Sequence, residues 1–163
     1  MKIFLSAILA LTFIQISYCQ TETEYYSKLT DKYKFEEFPI EKVCNIGPTL
    51  DSLSWCELRD LPEEIKSNIV EQFTSNTNFI GSCYKYASWG CGSPCQMIAI
   101  FNINNGKLVG TLNSSLSFLI KSDSRLIFLN PPSEEKIDIE YRQTVGEPKF
   151  FELLNGQIRK LEK

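Results

Sequence analysis

The sequence predicts a single α+β domain: one amphipathic helix packed on an antiparallel β meander of about six or seven strands. Three observations carry that prediction. One capped helical period of apolar residues begins near Asp60, strand-length apolar runs separated by turns extend from Phe79 onward, and two Asn-Gly pairs sit where hairpin tips are needed.

The first residues, MKIFLSAILALTFIQISYCQ, put Lys2 before an apolar run from Ile3 to about Ile14 and then small or polar residues, the pattern of a secretory signal peptide. Cleavage after Cys19 leaves Cys19 and Ser17 at the small-residue positions and starts the mature chain at Gln20. In the rival reading Cys19 is the acylated first residue of a lipoprotein, an anchor that would hold the chain at the cell envelope without altering its fold. The run is short for a membrane span, which needs about 20 apolar residues, and no second candidate follows. The predicted layout is therefore signal peptide 1–19, N-terminal arm 20–38 and one globular domain 39–163.

In the arm, TETEYYSKLTDKYKFEEF mixes charge and aromatic rings without a clean period, as a short helix or an extended segment docked through Tyr25, Tyr26 and Tyr33 would. Pro39 closes it, and CNIGPTLDSLSWC from Cys44 to Cys56 is rich in turn formers. Then comes DLPEEIKSNIVEQF. Asp60 is placed to cap the helix with Glu63 in a capping box, Pro62 falls in the first turn, and Glu63 and Glu64 oppose the positive end of the dipole. Leu61, Ile65, Ile69 and Phe73, with Val70 beside them, draw one apolar stripe, and Ser75 begins the segment that ends it.

The strand pattern starts at Phe79. MIAIFNI, Met97 to Ile103, is apolar on both alternating faces and so reads as a central strand covered on each side. Asn105-Gly106 predicts a type I′ turn, with KLVGTL returning antiparallel. RLIFLN, Arg125 to Asn130, is a buried strand stopped by Pro131-Pro132. In IDIEYR, Ile137, Ile139 and Tyr141 alternate with charged residues, as in a strand with one wet face. KFFELLNGQIRKL makes a last hairpin at Asn155-Gly156.

Composition narrows the chemistry. With Lys2 removed, 16 basic side chains face 20 acidic ones and no basic run exceeds Arg159-Lys160, so nucleic acid is not the expected partner. The chain has no histidine, the commonest general base near neutral pH and the commonest metal ligand. Ser-His-Asp and Cys-His catalysis are excluded with it, and neither a metal nor another cofactor is called for. Five cysteines remain after Cys19, and in an exported chain they are expected to form bridges. The candidate pairs are Cys91 with Cys95 and Cys44 with Cys56, leaving Cys83 over, while crossing pairs such as Cys83 with Cys95 stay open. Between Cys91 and Cys95 lie three residues, not the two of a thioredoxin-type centre, and a strand follows instead of a helix. A stapled loop is favoured over a redox dithiol, which is the alternative reading.

The stretch NFIGSCYKYASWGCGSPCQMIAIFNINNGKLVG resembles a family of small exported bacterial proteins with an N-F-x-G-x-Y and W-G-C-G-x-x-C motif. Asn78, Phe79, Gly81, Tyr84, Trp89, Gly90, Cys91, Gly92, Cys95, Gly106 and Lys107 match it, and Asp123, Ser124, Arg125, Leu126 and Asn130 match a second block. The spacing from Phe79 to Tyr84 is one residue longer here, with Cys83 in the insertion. The resemblance implies export and a common fold and supplies no reaction. Tyr84, Trp89 and Gln96 are the candidate binding surface near the cysteine loop; Asp123 and Arg125 are candidates for an ion pair or a charged ligand. The expected function is a non-catalytic binding or interaction module of the envelope, whose partner is another exported protein or a small ligand.

Overall fold

The computed structural model describes residues 31–40, 44, 53, 58–81, 83–115, 117–131 and 146–162. The chain divides into two units, Met1–Tyr33 and Lys34–Lys163, and the helix and sheets belong to the second. The strand expected over IDIEYR, as well as Tyr25, Tyr26 and Cys56, lies outside the described residues.

Helix α1 spans Glu63–Thr74. It begins later than the capping-box reading expects: Pro62, with extended backbone, occupies the N-cap position, no side chain caps the first turn, and Asp60 sits in a preceding turn beside Arg59. The predicted stripe is correct. Ile69 and Phe73 are completely buried, and Leu61, Ile65 and Val70 pack around them with Leu53, Leu58, Ala87, Ala99 and Phe101. A helix of 12 residues is marginal by itself in water, so this burial, including an edge-to-face contact of Phe73 with Phe101 at 5.7 Å, is what holds it.

The expected α+β class with an antiparallel meander holds, but among the described residues the strands number eight and divide between two four-stranded sheets. The first runs β1 (Phe79–Ile80), β2 (Tyr84–Gly90), β3 (Gln96–Asn102), β4 (Leu108–Ser114); the second runs β5 (Phe118–Ile120), β6 (Leu126–Leu129), β7 (Lys149–Leu154), β8 (Gln157–Lys160). Each follows chain order. Strands β1 and β5, of two and three residues, are too short to leave a period in the sequence. The central-strand reading of β3 holds: Ala99 and Phe101 face the helix, while Ile98 and Ile100 meet Ile80, Leu112, Ile127, Leu129 and Leu153 between the sheets. Three layers result, helix on sheet on sheet. Gly110 on β4 permits close approach of the second sheet, since a Cβ there would lie 3.0 Å from the Ile158 side chain.

The two Asn-Gly pairs fold differently. Asn155 (φ 50°) and Gly156 (φ 73°) both take positive φ, so β7 and β8 join through the expected two-residue turn. At Asn105-Gly106 only Gly106 does so (φ 62°). Ile103 is buried, and its N–H donates to the Cys83 carbonyl at 3.1 Å. That anchors the chain one residue past β3 and widens the loop to Ile103–Lys107, with a bulge at Ile100/Phe101.

Polar side chains close the seams. Because β1 covers so little of β2, the Ser88 backbone faces the helix end instead of a strand. Gln72 satisfies it, accepting from Ser88 N–H at 3.0 Å and donating to Ser88 C=O at 2.8 Å. Between the sheets, buried Asn130 (φ 54°) accepts from Ser114 Oγ and Ser115 N–H and donates to the Glu147 carbonyl. Lys85 is fully buried on β2. Its ammonium donates to the Phe73 carbonyl at 2.7 Å and to the Ser75 carbonyl, and it lies 4.7 Å from the centre of the Phe79 ring. A cation there complements the negative end of the α1 dipole.

Burial pushes the Lys85 pKa below its ordinary value of 10.5. Between the folded and unfolded values the unfolded chain holds more protons, so this group adds stability as pH rises through that interval. Lys85→Met should cost about 2 kcal/mol through the two orphaned carbonyls. In denaturant melts, the deficit relative to wild type should be larger at pH 10 than at pH 7.

Candidate functional site

The ladder between β2 and β3 separates the candidate residues. Trp89 pairs with Met97 and Gly90 with Gln96 at one end, while Tyr84 pairs with Asn102 at the other. Five residues along a strand is about 17 Å, and an odd step places side chains on opposite faces. Trp89 accordingly packs on the helix side and Tyr84 between the sheets. Tyr84, Trp89 and Gln96 therefore do not form one surface.

At the Trp89 end, Cys91 and Cys95 are joined, with Cα atoms 5.0 Å apart. Cys91 N–H donates to the Cys95 carbonyl and Cys95 N–H to the Gly92 carbonyl, and Gly92 takes φ 110°, which favours glycine. The bridge thus closes the tip of the β2–β3 hairpin. The element after Cys95 is strand β3, so no helix N-terminus is present to stabilise a thiolate there. A shallow, open depression of about 640 Å³ runs past Gly90, Ser93, Pro94, Gln96 and Ser115.

At the opposite end, Cys44 is joined to Cys83, Cα atoms again 5.0 Å apart. This corrects the expected Cys44 to Cys56 pair and the expectation that Cys83 is left over. Cys83 lies in the β1–β2 turn, where Gly81 takes φ 52°. Its carbonyl also holds Ile103, so one turn fixes both the incoming Cys44 segment and the β3–β4 loop.

Beside this bridge is a cleft of about 250 Å³, lined by Cys44, Cys83, Tyr84, Asn102, Asn104, Arg125, Leu153 and Asn155, with Gly81 at its edge. Three turns meet here: β1–β2, β3–β4 and β7–β8. Asn102 Oδ1 accepts from Asn104 N–H at 2.9 Å, and Asn104 Nδ2 approaches Cys44 Sγ at 3.5 Å. Arg125 pairs with Glu152 at 3.0 Å, both side chains largely buried at 17% and 12% exposure, and its Nε donates to the Pro39 carbonyl at 2.8 Å. Glu152, on the neighbouring strand, is thus the acid that matches Arg125. Asp123 is exposed and makes no ion pair with it. The turn before β6 is held instead by Ser124, which donates to the Phe35 and Phe38 carbonyls and accepts from Leu126 N–H.

Of the candidates named from sequence, Tyr84, Arg125 and Cys44 meet at this cleft, and Gln96, Cys91 and Cys95 meet at the other end. Asn102, Asn104 and Asn155 were missed because asparagine beside a hairpin tip is an ordinary turn former. Their only sequence signal is their position at two hairpin tips. Among the described residues, no group of three or more acidic or cysteine side chains is arranged to hold a metal ion. No helix among them is long and apolar enough to cross a membrane. No family model matches this chain, and no curated protein or solved structure matches it either.

The two bridges differ in what they constrain. Cys44–Cys83 closes a separation of 39 residues and Cys91–Cys95 one of 4, worth about 4 and about 2 kcal/mol in the chain-entropy account. Replacing Cys44 and Cys83 together by serine should lower the melting temperature by roughly twice as much as replacing Cys91 and Cys95. Differential scanning calorimetry of the two double variants measures the ratio directly.

Proposed function

We propose that the chain is an exported, non-catalytic binding module that acts outside the cytosol, in the periplasm, beyond the cell, or tethered at the envelope through Cys19. The observation that carries this reading is the cleft beside Cys44–Cys83. There a covalent bond joins two of the lining residues, and asparagine amides from two hairpins and the Tyr84 hydroxyl converge on a small concave space. Binding sites of this kind combine a largely preformed cavity with a few placed polar groups. The paired cysteines favour an oxidising compartment, the apolar N-terminal run suits a signal peptide, and the W-G-C-G resemblance to small exported bacterial proteins points the same way. The partner is a small ligand or another exported protein, and the bridges serve as passive staples.

Non-reducing peptide mapping of the full-length gene product, recovered from outside the cytosol, tests this reading. The expected result is a chain lacking residues 1–18 or 1–19, with Cys44 bonded to Cys83 and Cys91 to Cys95 and neither pair labelled by an alkylating agent in native material. Labelling of both Cys91 and Cys95 would instead assign a reactive dithiol, and retention of the intact precursor in the cytosol would refute export.

A further inference from the structure

The binding reading leaves the ligand class open, and the cleft's own chemistry narrows it. Charge comes first. Among the described residues that line the cleft Arg125 is the one cation, and Glu152 lies against it at 3.0 Å, so the pair presents little net charge to an incoming ion. A free carboxylate or phosphate would have to compete with an ion pair already formed in a largely buried position. The remaining polar groups are neutral. Asn102 Nδ2, Asn104 Oδ1, the Asn155 amide and the Tyr84 hydroxyl have no protein hydrogen-bond partner among the described residues. Each Asn offers both donor and acceptor capacity.

Shape comes next. The cleft is a compact space of about 250 Å³ at the meeting of three turns, below the usual range of about 300–1,000 Å³ for drug-sized ligands. Its apolar lining is Leu153, the Tyr84 ring and the Cys44–Cys83 sulfurs, and its uncharged polar lining is the asparagine amides and the Tyr84 hydroxyl. A pyranose ring has the matching division, with C–H groups on its faces and hydroxyls around its edge. Vicinal hydroxyls pair well with planar amides, which give and accept at adjacent atoms. A peptide would need an extended groove or a free strand edge for its backbone, and a space of about 250 Å³ is short for one.

We propose that the cleft beside the Cys44–Cys83 bridge binds a single neutral sugar ring, one face on the bridge, Tyr84 and Leu153, and its hydroxyls on Asn102, Asn104 and Asn155. This inference rests on the proposed binding role and adds the ligand class to it. The positive-φ turn fixes the backbone that carries Asn155, and the Asn104 N–H holds the Asn102 side chain, so part of the ordering cost is met before binding.

The test uses the oxidised mature chain with both bridges intact. Saturation-transfer NMR and calorimetric titration would be run with methyl β-glucoside, methyl α-mannoside and N-acetylglucosamine, with citrate and triglycine as the anionic and amide probes. Two variants keep the turns: Asn155→Gly preserves positive φ, and Asn102→Asp preserves the acceptor for Asn104 N–H. The expected result is saturable binding of at least one sugar, weakened about tenfold by either variant, as loss of one hydrogen bond predicts, with unchanged melting temperature. Sugar binding that both variants leave intact overturns the proposal. So does a response to citrate or triglycine alone, although that outcome keeps the cleft as a binding site. If no probe binds, the sugar assignment fails while the peptide map still decides export and bridging separately.

Discussion

Strand β3 has no face for water, and the architecture derives from that constraint. A strand apolar at successive residues must be covered on both sides, and this chain supplies the two covers from different sources: α1 on one face and a second sheet on the other. Neither cover could persist alone. The helix is too short to be stable in isolation, and a four-stranded sheet with a bare apolar face would expose an aggregation-prone surface. Each layer is stabilised chiefly by what it buries against the next.

Covering a sheet with a short helix leaves polar groups stranded at the joints, and three side chains resolve them. Gln72 acts as a missing strand for Ser88, Lys85 receives the carbonyls where α1 ends, and Asn130 ties the end of β4 to the end of β6. Buried polar groups are costly unless bonded, so sliding one layer on the next would break these bonds as well as the apolar contacts. Lys85 is notable because, among the described residues, carbonyls and the Phe79 ring face it and no carboxylate pairs with it. The dipole of the helix it terminates takes the place of a counter-ion.

Both depressions of the surface lie where the layers end. Seven-residue strands carry one disulfide loop to each end of the first sheet, and the two ends have different characters. At the Cys91–Cys95 end the surface is open, shallow and glycine-rich. At the Cys44–Cys83 end three turns draw together around a small polar cleft, with the bridge of the longer covalent loop in its lining. A site built from hairpin tips on a rigid sandwich gains precision from the scaffold while leaving the tips themselves chemically variable.

The apolar stripe of α1, the two-faced burial of β3 and the Asn155-Gly156 turn were legible in the sequence. Each is a local period or a dipeptide preference, read within a few residues. The same local reasoning misjudged Asn105-Gly106, because the burial of Ile103 and its bond to Cys83 come from a neighbouring hairpin. It likewise paired Cys44 with its neighbour in sequence, whereas the actual partner lies 39 residues away, at a turn that the sheet brings alongside. By itself, then, the amino-acid order determined which segments become helix, strand and turn, since side-chain periodicity is a short-range property. The stacking of the layers decided which cysteines join, that Glu152 answers Arg125, and that asparagines from two distant hairpins share one cleft, because those contacts link residues whose separation along the chain carries no information about their distance in space.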